Sequence, residues 1–131
     1  MDNMLNLSVV TPNGLIFSGK AKMVTLPGEE GEFGVLAGHA DTLSMLKAGV
    51  IEIKKSDDKL EYVAINWGYA KVVENSVDVL IDDAIVIEGT SESEIATAIY
   101  KAKDLIDAAS EDKIAISAVL SKVDSVGKSI L

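Results

Sequence analysis

The sequence predicts an α+β chain, mainly β, in which an N-terminal β-sandwich is followed by a C-terminal antiparallel α-helical hairpin. Three observations carry this. Short apolar runs, several alternating with polar residues, recur from Leu5 to about Ile87 between clusters of turn residues. After Gly89 the apolar spacing lengthens to the helical period of about 3.6. A second helix-start signal at Ser110-Glu111-Asp112 then divides the helical half in two. The expected units are residues 1–87, a sandwich, and residues 88–131, a mobile helical hairpin.

Leu5, Leu7 and Val9 show the alternation first. Pro12-Asn13-Gly14 reads as a tight turn, because proline presets one dihedral while Asn and Gly tolerate positive φ, and Leu15-Ile16-Phe17 resumes the strand. Further strands are expected at Met23 to Leu26, Gly34 to Leu36, Val50 to Lys54, Leu60 to Ile65, Tyr69 to Val73 and Val77 to Ile81. Their separators, Pro27-Gly28, Ser56-Asp57-Asp58 and Glu74-Asn75-Ser76, carry turn chemistry. Close, regular spacing of short strands favours a sandwich or flattened barrel, since one sheet face must be buried against another.

In the helical half, Ser91 followed by Glu94 fits a capping box, and Ile95, Ala98, Ile99, Ala102, Leu105, Ile106 and Ala109 form one broad face. Ile114, Ala118, Val119, Val123 and Val126 can line a second, with Gly127 expected to weaken its last turn. Alanine-rich facing surfaces permit close approach but bury little area, so this half should be the less stable.

Charge narrows the function. The 131 residues carry 21 acidic against 12 basic side chains, a formal charge of -9, and every basic residue is lysine. Such a surface repels phosphate backbones and anionic headgroups, and without arginine the chain lacks the planar fork for bidentate phosphate recognition. Proteins, and not nucleic acid, are the expected partners. No apolar run approaches the roughly 18–20 residues that span a bilayer, and Met1-Asp2-Asn3 lacks a signal peptide's basic and apolar blocks, so the chain is expected to remain in the cytosol without inserting in a membrane.

Catalytic and metal chemistry find no support. Zero cysteines remove thiolate ligands and thiol nucleophiles, and a single histidine, His39, excludes a multiple-imidazole metal site. Neither a Gly-x-Ser-x-Gly elbow nor a phosphate-binding Gly-x-x-x-x-Gly-Lys-Ser/Thr loop occurs. Glu29-Glu30 and Asp82-Asp83 are paired carboxylates, but adjacent strand residues face opposite ways and do not share a site. No catalytic residue, cofactor or metal is expected. Glu29, Glu30 and Glu32 cluster in a Gly-flanked loop with His39 seven residues beyond Glu32; this is either an acidic docking edge or an ordinary solvated turn. Trp67, the sole tryptophan, is either an interface anchor or a core filler, and the core is the better supported of the two.

The segment Leu7 to Gly19 (LSVVTPNGLIFSG), followed by Gly31-Glu32-Phe33-Gly34-Val35-Leu36-Ala37-Gly38-His39-Ala40, resembles the opening of epsilon subunits of F-type ATP synthases. Ala37 and Asp41 replace two prolines of that family's Gly-Glu-x-Gly-x-x-Pro-Gly-His-x-Pro stretch, while the glycines, Glu32 and His39 keep their spacing. Leu43 to Val50 resembles the apolar continuation, Gly68-Tyr69-Ala70-Lys71-Val72 a later strand, and Val79-Leu80-Ile81-Asp82-Asp83-Ala84 the end of the sandwich.

The resemblance implies a sandwich of about ten strands carrying the helical hairpin, in a non-catalytic rotor subunit that couples the stalk subunit gamma to the membrane c-ring. It implies transient contact of the hairpin with the alpha and beta catalytic subunits, regulation of ATP hydrolysis, and a peripheral place on the cytoplasmic face of the cell's inner membrane. It favours interface roles for Glu32 and His39, with Glu29, Glu30 and Trp67 beside them. Some members bind ATP through a motif resembling Ile/Leu-Asp-x-x-Arg-Ala. This chain keeps Ile81 and Asp82 but has Ile85-Val86 where Arg-Ala would fall, so weak or absent ATP binding is expected. The alternative to a rotor subunit is a small β-sandwich that binds a soluble ligand, its helices a dimerisation arm; an aromatic content of 5% speaks against that.

Overall fold

The computed structural model describes residues 3–109 and 113–130, and among these nine strands precede two helices. The strands are β1 (Leu5–Thr11), β2 (Gly14–Gly28), β3 (Gly31–Leu36), β4 (Thr42–Leu46), β5 (Gly49–Lys55), β6 (Leu60–Ile65), β7 (Gly68–Val73), β8 (Ser76–Ile81) and β9 (Ala84–Val86). The helices are α1 (Glu92–Ala108) and α2 (Lys113–Ile130). The hydrogen-bonded order is β1-β8-β7-β4-β2-β5-β6-β9, with β3 beside β2 and a further β1–β2 pairing. Only β1 and β8 run parallel.

β2 explains how nine strands do the work of about ten. Its first half pairs with β1, from Gly14 opposite Thr11 to Ala21 opposite Leu5. A register shift between Ala21 and Met23 bends it, and its second half pairs with β3 and β5. One strand thus crosses from one layer to the other. At its start the turn is set by Thr11, whose Oγ1 accepts from the Asn13 N–H and donates to the Gly14 carbonyl, both at 3.2 Å, with Gly14 at φ +137°.

Two apolar interiors result. Leu5, Leu7, Val9, Val24, Leu26, Val35, Ile51, Ile53, Val63, Ile65, Val77 and Val79 are buried between the layers. Val50, Tyr62 and Ala64, on the opposite face of β5 and β6, are buried instead beneath the hairpin by Ala102, Ile106, Ile116, Val123 and Val126. β5 and β6 therefore bury both faces, which is why their sequences read as apolar runs and not as strict alternation.

Several expectations shift. Pro27 and Gly28 do not separate strands; they end β2, and the turn falls on Glu29 and Glu30. Gly28 is needed there because a Cβ would lie 2.8 Å from the Gly31 oxygen and 2.9 Å from the Phe33 ring. Leu43 to Val50 is two strands, β4 and the start of β5, divided at Lys47-Ala48. Ala109 and Ala118 are exposed, while Ile116 is buried. Gly127 does not weaken α2, which continues to Ile130; the glycine is buried against Ile99, where a Cβ would sit 2.9 Å from the isoleucine side chain. The expected start signal at Ser110-Glu111-Asp112 and the side chain of Ile114 lie outside the described residues.

The α1 cap forms as expected and reaches one residue further back. Ser91 Oγ accepts from the Glu94 N–H at 3.2 Å, and Glu94 Oε2 accepts from the Thr90 N–H at 2.8 Å and the Thr90 hydroxyl at 3.2 Å. The Thr90 N–H bond, then its hydroxyl, hold the Glu94 carboxyl below the usual range.

Two predictions follow from these contacts. Gly68 lies so close to β8 that an added Cβ would press into the Leu80 carbonyl oxygen and the backbone of Ile81, neither of which can rotate away. Gly68→Ala should therefore cost about 1–3 kcal/mol in chemical denaturation. Because the folded Glu94 carboxyl is depressed, its contribution is present above the ordinary glutamate value and lost as pH falls through the lowered one. Amide exchange in the first turn of α1 should accelerate over that acid range, and Glu94→Gln should flatten the dependence.

Candidate functional site

On β7, Ala70 and Val72 face the interior, so period two turns Tyr69, Lys71 and Val73 outward. On β8, Val77, Val79 and Ile81 are buried and Asp78 and Leu80 point out. Registers then align Val10 with Leu80, Leu80 with Tyr69 and Tyr69 with Met45. Neighbouring pairs of this kind lie about 5 Å apart, so the four side chains form one apolar row across β1, β8, β7 and β4. The adjacent row, Ser8-Asp78-Lys71-Leu43, is polar except for Leu43, which is 71% exposed. A depression of about 780 Å3 runs over this outer face.

Trp67 extends the apolar row. It is 51% exposed, which overturns the core reading: Gly68, its successor, is buried, and Trp67 falls on the outward phase of β7. Its carbonyl accepts from the Asp82 N–H at 3.1 Å, and its N–H donates to Asn66 Oδ1 at 2.8 Å. Asn66 also donates to Asp82 Oδ2 at 2.8 Å and accepts from the Asp83 N–H at 2.9 Å, fixing the corner beneath the indole.

The acidic turn stands at the same end of the sandwich. Glu29 N–H donates to the Met45 carbonyl at 3.1 Å, and Leu46 pairs with both Gly28 and Gly68. Glu29 and Glu30 are exposed at the tip. Glu32 differs from them. With Phe33 and Val35 turned inward, it projects from the outer face of β3, on the layer that carries the hairpin, and forms an ion pair with Lys122 of α2. That pair, with side chains 33% and 49% exposed, joins segments 90 residues apart.

His39 is not part of that edge. It lies beyond the opposite end of β3, where its N–H donates to the Leu36 carbonyl at 3.1 Å. Nδ1 is 2.7 Å from the Ala40 carbonyl, which can only accept, so Nδ1 carries the proton. The loop is stapled to the β7–β8 turn: Gly38 N–H donates to Asn75 Oδ1 at 3.0 Å, and Asp41 Oδ1 accepts from the Glu74 N–H at 2.9 Å. A single edge containing Glu29, Glu30, Glu32 and His39 is thus replaced by two separate places, because the full length of β3 intervenes.

Ile81 and Asp82 are likewise not placed for a ligand between sandwich and hairpin. Ile81 is buried in the sandwich interior and Asp82 is held at the Trp67 corner. The depression between β9 and α1, about 280 Å3, is lined instead by Ile85, Val86, Glu94, Thr97, Ala98 and Lys101. Its lining carries one cation, Lys101, and one carboxylate, Glu94.

Polar contacts beneath the hairpin are few. Burial pushes the Tyr62 hydroxyl pKa up; a hydrogen bond with Ser129 of α2 opposes this and the charge of Glu52 reinforces it. Lys103 and Asp124 bridge the two helices at 2.9 Å. The Lys22 ammonium, 2.7 Å away, holds the carboxyl of Asp58, in the turn between β5 and β6, below its usual range. Among the described residues no cluster of three His, Asp or Glu side chains is placed to hold a metal ion, and no helix is long and apolar enough to cross a membrane.

Comparison with known proteins gives a consistent result. Residues 4–87 match the family described as "ATP synthase, Delta/Epsilon chain, beta-sandwich domain". The chain is 56% identical over its full 131 residues to the ATP synthase epsilon chain of Wolinella succinogenes, covering 100% of both. It is similar to a chain in the Euglena gracilis mitochondrial ATP synthase structure of OSCP, F1 and c-ring, with 25% identity and a TM-score of 0.63, covering 95% of this chain and 75% of that one. A chain of the central stalk and c-ring structure from Tetrahymena thermophila shares the fold, at 15% identity and a TM-score of 0.53, covering 80% and 95%.

Proposed function

This chain belongs to the family of ATP synthase epsilon chains, and from that premise we infer how its surfaces serve a rotor. It is an accessory subunit of the membrane-bound complex, on the soluble F1 side, and not the catalytic one. The reading is of a central-stalk component that joins the gamma subunit to the c-ring and regulates hydrolysis through its hairpin, which meets the alpha and beta subunits transiently. It sits peripherally on the cytoplasmic face of the inner membrane.

The observation that carries the reading is the exposed row Val10-Leu80-Tyr69-Met45 with Trp67 beside Tyr69, two residues back along the chain. Contiguous exposed apolar groups on a rigid sheet mark a protein contact, and aromatic anchors within them supply most of the binding energy. This face takes the gamma subunit. Leu43 and the loop bearing His39 border it. The tip at Glu29 and Glu30 lies at one end of the same body and carries the charge suited to polar ring loops, so it docks on the c-ring, with Glu32 beside it. Residues 88–131 form a separable unit, supported by the two distinct apolar interiors: the hairpin can leave without opening the sandwich.

Tyr69→Ala should weaken binding of the isolated chain to gamma at least tenfold by calorimetry, with thermal stability little changed because the side chain is already exposed. Unaltered affinity would remove the face assignment. Cysteine in place of Glu30 should crosslink to the ring loops in the assembled enzyme; consistent failure would remove the ring contact. With no arginine in the chain and Ile81 and Asp82 turned away from the hairpin, a calorimetric titration should show no micromolar affinity for ATP.

A further inference from the structure

We propose that Glu32 is a shared carboxylate, held by Lys122 when the hairpin lies on the sandwich and taken by a cationic side chain when the c-ring docks, so that ring docking loosens the hairpin. This rests on the ring contact inferred above. Glu32 belongs to the docking end, two residues from the tip, yet its side chain lies on the face that carries α2 and is already paired with Lys122. A carboxylate can accept several donors, but a second ammonium brought beside the first meets like-charge repulsion, so the two contacts oppose one another.

The rest of the hairpin seat makes this competition felt. What holds α2 beyond the pair is its apolar interface with α1, β5 and β6 and the Lys103–Asp124 ion pair to α1. Nothing else among the contacts described ties the middle of α2 to β3. An exposed pair of this kind biases an equilibrium by up to about fivefold. Coupling is reciprocal, so whatever factor the ring contributes to releasing the hairpin, the docked hairpin subtracts from ring affinity.

The test uses the chain bound to gamma, titrated with purified c-ring in detergent, with hydrogen exchange of α2 amides as a second readout. Lys122→Gln should speed exchange in α2 by two- to fivefold without the ring and strengthen ring binding by the same factor. With ring bound, the variant and the parent should exchange alike. The charge swap Glu32→Lys with Lys122→Glu should restore slow exchange while weakening ring binding. If Lys122→Gln changes α2 exchange but leaves ring affinity as it was, or leaves exchange as it was, the shared carboxylate is overturned even where the Glu30 crosslinks form. Loss of those crosslinks together with ring affinity indifferent to Glu32→Gln overturns the ring contact itself.

Discussion

A two-layer sheet sandwich has two inner faces and two outer ones, and this sequence makes all four apolar in part. The inner pair satisfies itself. Val50, Tyr62 and Ala64 on one outer face cannot be left wet, and the helical hairpin covers them. The other outer face keeps its row of Val10, Leu80, Tyr69 and Met45 without a cover among the described residues. One surplus face has an internal partner and the other awaits an external one. The difference between the covered face and the open one comes from that inequality.

The two covers differ in kind. Sheet pairing commits backbone hydrogen bonds along the whole strand, so the body bearing the open face is stiff, as a part that passes torque between neighbours must be. The hairpin is held mainly by side chains. Its buried set includes small residues, Ala102 and Gly127 among them, which bring the helices close while burying little area against the sheet. Removing the arm exposes a modest apolar face and leaves every β pairing intact. The sandwich therefore does not depend on the hairpin for its own strand pairing.

Much of this was legible in the sequence. Strand positions followed from alternation, the α1 cap from Ser91 and Glu94, and the change of period at Gly89 marked the passage from strands to helices. The misplaced features have physical causes. Pro27-Gly28 has turn chemistry, yet here Gly28 serves a close approach to Phe33 at a strand end. Helix propensity makes Gly127 a weak point of α2, whereas its contact with Ile99 decides its role. Period two places Trp67 at the surface: if Ala70 and Val72 face in, Tyr69 and Trp67 face out. The same rule applied to Val77, Val79 and Ile81 exposes Leu80 and so reveals the whole row. The Glu32–Lys122 pair had no signal in sequence, since 90 residues separate partners that only the fold brings together. The separation of His39 from the acidic tip was equally hidden, because seven residues of sequence conceal a full strand length.

The absence of arginine bears on how such a body changes partners. A guanidinium holds a carboxylate with two parallel bonds in one plane, and its release requires breaking both together. An ammonium is a strongly hydrated point charge that accepts water or a new carboxylate in any direction. With lysine as its only cation, this chain builds contacts that are weakly specified in angle, partly exposed and readily screened, as the Lys122–Glu32 and Lys103–Asp124 pairs are. Rigid specificity then resides in the apolar row and its aromatic groups, where geometry is fixed by strand register. The charges add a partly exposed hold to the apolar seat of the hairpin, so sheet and helices are secured by contacts of different kinds.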